Sequence, residues 1–393
     1  MKIFLSAGEA SGELYGAQLI PALKTLLPDA SFFGMGGRRM ESAGLRRIVH
    51  AEDVAVMGLS EVVRHLPRLY GEFRKLKAGI QQERPALAIL IDLPDFHFKL
   101  AEELHRLGIP VLFFISPQLW AWKKHRIRTV QKYVDRMVVI FPFEEQYYRE
   151  RGVHADYIGH PLADLPLPGS SRESFASQYN LDQSKEWIGL LPGSRIREIR
   201  QNLPTMIAAA QELGDQYQYL LPLAPTLTPA QRASVNAMIA ASPNIHLLDD
   251  ARGALHHARA SIVASGTATV EAALIGNPFV VVYRVSRITF AIVSRMVKVP
   301  FIAMANIIAN HRVVPELIQQ DFTAANVVAH LRPMLDDGAT RTATIDGLRE
   351  VADRLHADRC SGSTAIERLA QITATMLSTT TESPNPPLGV LSR

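Results

Sequence analysis

Lys2-Ile3-Phe4-Leu5-Ser6-Ala7-Gly8-Glu9-Ala10-Ser11-Gly12-Glu13 opens the chain. An apolar run without alternation meets a turn of small residues, and a helical pattern follows over 12–27. Unbroken apolar strands belong in parallel sheets, which are buried on both faces. The same pattern recurs outward from this point. Strands are predicted at 2–6, 30–33, 86–91, 111–115, 136–140 and 156–158, with helices such as 98–107 between them. This βαβα order predicts an open, doubly wound parallel sheet. The Pro- and Gly-rich stretch 161–169 reads as a linker. The rhythm then restarts with strands at 187–191, 217–222, 245–248, 261–264 and 279–283, and helices at 201–213 and 267–275. Two α/β domains are therefore expected, at 1–165 and 166–377, the second closed by helices near 345–357 and 364–376. Residues 378–393, rich in Ser, Thr and Pro, are expected to be a disordered tail.

Length and composition agree with two folded domains. A chain of 393 residues exceeds what one core usually supports. With 47% apolar and 20% charged residues it is not a disordered polymer. A net charge of +4 is too mild for a dedicated nucleic-acid binder. The single cysteine, Cys360, excludes a disulfide framework and fits a reducing cytoplasm. No export signal is expected, because Glu9 interrupts the N-terminal apolar run. No window reaches the roughly 18 uncharged apolar residues of a spanning helix.

Three stretches of the first half carry chemistry. In Ser6–Glu13, Gly8 and Gly12 allow close backbone approach, and Glu9 and Ser11 stand where a helix start attracts an anion. The plain alternative is a tight turn capped by Ser11. No Gly-Lys-Ser/Thr follows, so this is not a Walker loop. In Ile91-Asp92-Leu93-Pro94-Asp95-Phe96, two carboxylates end an apolar strand, where a general base is useful. Either could instead cap the next helix. In Ser116-Pro117-Gln118-Leu119-Trp120-Ala121-Trp122-Lys123-Lys124-His125-Arg126, aromatic rings suit a sugar and cations suit phosphate. A packed aromatic corner with a solvated basic face is the competing reading.

Three more lie in the second half. In Leu191-Pro192-Gly193-Ser194-Arg195-Ile196-Arg197-Glu198-Ile199, the turn amides and the Arg195 fork suit a pyrophosphate. An Arg195–Glu198 ion pair is the alternative. Ser265, Gly266 and Thr267 offer a second phosphate turn, with Glu271 placed for ribose hydroxyls; a capping box would look the same. Asn306, Asn310, Arg312 and Glu316 suit base and ribose contacts, or form a simple turn.

Leu66, Leu69, Phe73, Leu76 and Ile80 recur at helical spacing among Arg64, Arg68, Arg74, Lys75 and Lys77. Such a helix fits a lipid headgroup layer, or packs on a core with its charges outward. His residues are scattered, so no metal site is expected. His160, in Gly159-His160-Pro161, stands at the domain junction. No Gly-x-Ser-x-Gly elbow supports a serine hydrolase.

Taken in order over roughly residues 1–375, these motifs resemble the lipid-A-disaccharide synthase family. The resemblance rests on 6–13, Asp92-Leu93-Pro94-Asp95-Phe96, Ser116-Pro117 with Trp120-Ala121-Trp122, and Gly159-His160-Pro161. It continues with Leu191-Pro192-Gly193-Ser194-Arg195 and Glu198, and with Ser265-Gly266-Thr267-Ala268-Thr269 and Glu271. It implies a GT-B glycosyltransferase with two Rossmann-like domains facing a cleft. The reaction implied is inverting and needs neither metal nor cofactor. It joins UDP-2,3-diacylglucosamine to 2,3-diacylglucosamine 1-phosphate (lipid X), in a Gram-negative bacterium, on the cytoplasmic face of the inner membrane. A homodimer is compatible with it, and nucleic acid is not a partner.

Under this resemblance Asp95 is the base, with Asp92 in reserve, and Gly193, Ser194 and Arg195 hold UDP with Ser265, Gly266 and Thr267. Glu271 or Glu316 holds ribose, and Asn306 and Asn310 seat the nucleotide. Gly8, Glu9, Ser11, Gly12, Trp122 and His160 shape the acceptor side, while Leu66, Leu69, Phe73 and Leu76 meet the membrane. The rival readings are another GT-B enzyme, such as a UDP-N-acetylglucosamine 2-epimerase, or a non-catalytic nucleotide-sugar or lipid-binding module.

Overall fold

The computed structural model describes residues 1–54, 59–285, 300–357 and 362–382. Seven parallel strands build one sheet: β1 (Lys2–Ala7), β2 (Ser31–Gly36), β3 (Leu45–His50), β4 (Leu87–Ile91), β5 (Val111–Phe114), β6 (Arg136–Val139) and β7 (Ala155–Tyr157). Their order is β3-β2-β1-β4-β5-β6-β7. Six parallel strands build the other: β8 (Glu186–Leu191), β9 (Tyr217–Pro222), β10 (Ile245–Leu248), β11 (Ala260–Ala264), β12 (Phe279–Tyr283) and β13 (Glu316–Ile318). Their order is β10-β9-β8-β11-β12-β13.

The unbroken apolar strands are explained by a core on each face. Ile3, Leu5 and Ala7 point into one cluster with Leu87, Ile89, Leu112 and Phe114. Phe4 points the other way, into a cluster with Ala88, Leu90, Val111 and Phe113. The second sheet repeats the device: Ile188, Leu190, Tyr219 and Leu221 face one core, Trp187 and Leu220 the other. The two strands that the sequence did not reveal, β3 and β13, are both sheet edges. In β3 the Leu45 and Val49 side chains are buried while Arg46 and His50 are exposed, and β13 is three residues long.

Contacts divide the chain into Met1–Pro161 with the segment from His356 onward, and Leu162–Leu355. The first division falls at the start of the expected linker. The second corrects the domain boundary drawn at 377. The helix Ala339–Leu355 stays with the second unit, but the helix Ala365–Glu382 is part of the first. Its Ile366, Leu369, Ala370 and Leu377 enter the same core as Leu19 and Leu23 of the helix Ala10–Leu26, and Arg368 Nε donates to the Ile158 carbonyl at 2.8 Å. This helix runs on through Ser378 to Glu382, so residues 378–382 of the expected tail are helical; residues 383–393 lie outside the described residues.

Among the described residues no helix is long and apolar enough to cross a membrane. The expected membrane-facing helix is Leu59–Glu83. The Leu66 side chain lies outside the described residues. Leu76 is 0% exposed in the core against the first sheet, and Leu69 and Phe73 pack against that core half-buried. Leu76 is therefore a core residue and not a membrane contact. Among the described side chains of this helix, the exposed large apolar one is Tyr70, at 65%. Leu76→Ser should destabilise the chain by about 2–5 kcal/mol in denaturant unfolding, as buried truncations do, while Tyr70→Ser should shift stability by less than about 0.5 kcal/mol. Equal small effects would remove Leu76 from the core.

Candidate functional site

Each sheet reverses its strand order once, between β1 and β4 and between β8 and β11. At such a switch point the connections leave in opposite directions and open a crevice at the strands' carboxyl ends. The loops there are the ones picked from sequence. Gly8–Gly12 follows β1 and Asp92–Asp95 follows β4; Gly193–Arg195 follows β8 and Ser265–Thr267 follows β11.

In the first unit, Asp92 and Leu93 both adopt positive φ (55° and 50°), a corner that non-glycine residues rarely take. Buried His97 holds it. Its Nδ1 lies 2.6 Å from the Asp92 carbonyl and its Nε2 2.8 Å from Ser6 Oγ. A carbonyl only accepts, so Nδ1 carries the proton and Nε2 accepts from the Ser6 hydroxyl. Burial pushes the imidazole down to about 4, so it stays neutral. Gly8 and Gly12 pack against Leu93 and Ile91, and exposed Glu9 sits at the helix start without a side-chain cap. Ser11 makes no cap either. Burial, with Glu9 beside it, raises the Asp92 carboxyl to about 6. Asp95 is different: its side chain is 69% exposed, and its Oδ1 meets both Arg126 and, at 3.7 Å, Lys123. Sequence reading missed His97, Arg126 and Lys123 as members of this corner. The lone His on an otherwise apolar helix face was the available signal for the first; the other two lie about thirty residues from Asp95 and give none.

The aromatic loop is only partly a packed corner. Trp122 is exposed, with Lys123 Nζ 4.4 Å over its ring. Trp120 is anchored instead, donating from Nε1 to buried Glu144 at 3.3 Å and meeting the Phe143 ring edge-on. Burial raises the Glu144 carboxyl to about 8. His160 does not open toward ligand: it is buried against Phe141, and burial lowers it to about 3.

In the second unit Gly193 turns at φ 117°, a conformation for glycine. The Ser194 and Arg195 amides point at one acceptor, but that acceptor is Glu198 Oε2, at 3.1 and 3.3 Å. Arg195 Nη1 lies 3.5 Å from Glu198 Oε1. The ion-pair alternative is thus present, and the chain's own carboxylate fills the anion cradle. The helix Thr267–Ile275 begins without any side-chain cap; Gly266 and Thr267 are exposed, and Ser265 donates its amide to Val282. No capping box forms there. Glu271 is half-buried, raised by burial, and 4.0 Å from Arg252.

The Asn306–Glu316 group needs correction as a nucleotide grip. Asn306 is fully buried; its Nδ2 donates to the Val314 carbonyl and Glu316 Oε1, and its Oδ1 accepts from Val313 and Val314. All four of its hydrogen-bonding positions are used. Glu316 accepts from the Ile302 and Ala303 amides, capping the helix Met304–Ala309. Asn310 is that helix's C-cap, in the left-handed conformation Asn tolerates. The three residues build the loop. No cluster of three or more potential metal ligands occurs among the described residues.

A family model described as lipid-A-disaccharide synthetase matches residues 3–370. The lipid-A-disaccharide synthase of Acidobacterium capsulatum is 60% identical, covering 95% of this chain and 96% of that protein. That of Koribacter versatilis is 49% identical, covering 94% and 97%. Among solved structures, a UDP-GlcNAc 2-epimerase from Neisseria meningitidis bound to UDP-GlcNAc aligns at TM-score 0.59, with 10% identity over 96% of this chain and all of that one. MurG of Acinetobacter baumannii aligns at 0.56, with 12% identity over 95% and 99%. At such identities the likeness shows the fold, which is GT-B-like.

The Asp92 environment has a measurable sign. The folded chain holds this proton more tightly than the unfolded chain, whose carboxyl has the ordinary value of 3.8. The stability this gives is complete below 3.8 and is lost as pH rises through about 6. Asp92→Asn should therefore gain about 3 kcal/mol more over wild type at pH 8 than at pH 3.5. A gain equal at both pH values would mean that only the backbone corner, and not the buried charge, was relieved.

Proposed function

The chain belongs to the lipid-A-disaccharide synthase family and is a glycosyltransferase of lipid A biosynthesis, and on that premise we propose how its residues divide the reaction. The donor, UDP-2,3-diacylglucosamine, sits on the second unit and the acceptor, lipid X, on the first. The observation that carries this is the contrast between the switch points. The first presents carboxylates, which take a proton; the second presents unpaired amides and Arg195, which take negative charge.

Inversion at the anomeric carbon needs one displacement. The acceptor 6-hydroxyl loses its proton to the Asp92/Asp95 pair and attacks as UDP leaves. Asp95 has the access and Asp92 the higher proton affinity. Charge developing on UDP is met by the amides at Thr267 and by Arg195, in place of a metal ion. For the β8 turn to contribute, Glu198 must give up the Ser194 and Arg195 amides. Glu271 accepts from the ribose hydroxyls. Contact with the cytoplasmic face of the inner membrane is part of the proposal, since both substrates are acylated. Tyr70 with exposed Arg68, Arg74 and Lys75 is the face that suits it.

A UDP-release assay in EDTA tests the reading. UDP should appear only when lipid X is present; UDP released without acceptor would point to an epimerase or hydrolase instead. Asp95→Ala should abolish turnover and leave UDP affinity within about twofold, and retained rate would remove Asp95 as the base. An acid limb of kcat/KM near pH 6 that disappears in Asp92→Asn would assign the proton to Asp92. Arg195→Ala should lower both UDP affinity and rate, the rate by about 100-fold, as loss of a transition-state donor does.

A further inference from the structure

We infer that Lys123 and Arg126 form the subsite for the acceptor's phosphate monoester, and that Asp95 holds this subsite in the resting chain. The inference rests on the acceptor lying on the first unit, as proposed above.

The charge balance points to an anion. From Ile109 to Val134 the sequence has no Asp or Glu, yet it carries Lys123, Lys124, Arg126, Arg128 and Lys132. Among the described residues the carboxylate that pairs with any of these five is Asp95. The two cations that meet it are half-buried, at 25% and 22% exposure, while the carboxylate itself is 69% exposed. Both address the same oxygen, Oδ1. Two half-buried cations converging on one oxygen carry more positive charge than the single exposed carboxylate balances, and match the charge of a phosphate monoester.

Lys123 is held in place by its own backbone. It sits at φ 50°, opening the short helix Lys124–Arg126, with its ammonium over the exposed Trp122 ring. An open aromatic face beside a cation pair suits a sugar that carries a phosphate. An incoming phosphate competes with Asp95 for Arg126. Its arrival releases the carboxylate next to the acceptor hydroxyl, so the base is uncovered only when the correct acceptor is seated.

The test compares lipid X with its phosphate-free analogue, 2,3-diacylglucosamine, in neutral detergent micelles. Arg126→Met and Lys123→Met should each raise KM for lipid X by about 10- to 100-fold. Turnover of the phosphate-free acceptor should not fall in either variant and should rise in Arg126→Met, where Asp95 is uncovered without a phosphate; retained turnover also shows that the variants fold. An equal loss on both acceptors would overturn the proposal and leave Arg126 as a holder of Asp95. A KM change seen on phosphatidylglycerol vesicles and absent in neutral micelles would also overturn it, since the cations would then be reading the lipid surface. A binding arm needs no turnover: Asp95→Asn should bind glucosamine 1-phosphate more tightly than wild type by several-fold. Unchanged or weaker binding there would refute the competition. That readout stands even if Asp95 proves not to be the base.

Discussion

A helix that follows a parallel strand begins with amide N–H groups that its own turns cannot satisfy. Much of this chain is organised by how those groups find acceptors. Ser171, Thr228, Asp250 and Thr323 cap their own helices from adjacent positions. Glu13 reaches from one helix to the amide of Arg39 at the start of another, and Glu316 reaches across a loop to Ile302 and Ala303. Glu198 turns back on the amides before its own helix. At Thr267 no side chain serves. A carboxylate near a helix start is thus building material through most of the fold, and at one turn a glycine bend gathers two amides onto a single carboxylate oxygen.

The corner after β4 shows the opposite economy. Two consecutive non-glycine residues at positive φ cost roughly 1–3 kcal/mol each. A buried neutral imidazole, tied to Ser6 and to the Asp92 carbonyl, offsets that cost and fixes the direction of both carboxylates. Burial keeps the imidazole unprotonated at neutral pH, and both of its nitrogens are engaged within the corner.

Most strands legible in the sequence were those buried on both faces, because burial on two sides leaves an unbroken apolar run; the edges β7 and β10 were legible through short apolar segments. Edge strands β3 and β13 escaped for the converse reason: one side meets solvent, and Arg46, Arg47 and Glu316 interrupt the pattern. Three of the four switch-point loops were legible because small residues stand between a strand and a helix, and the one after β4 because two carboxylates end an apolar strand. What the letters could not separate was a polar residue that holds the fold from one that awaits a ligand. Asn306 and Glu316 look like a nucleotide grip, yet all the Asn306 hydrogen-bonding positions are already filled. Leu76 fits an interfacial stripe and a core stripe equally, because both have the same period. The ion pair at Asp95 joins residues about thirty apart, and no local spacing announces it.

The last described helix has a bearing on how the chain is made. Leu162–Leu355 is one continuous segment, whereas the first unit is assembled from both ends of the described chain. On a ribosome the residues of the seven-stranded sheet emerge first, yet the helix that covers Leu19 and Leu23 emerges last. Until then that apolar face is open to chaperones or to other nascent chains. The second unit, made later, can complete its core sooner. The order of synthesis and the order of completion are therefore reversed, and the unit begun first is finished last.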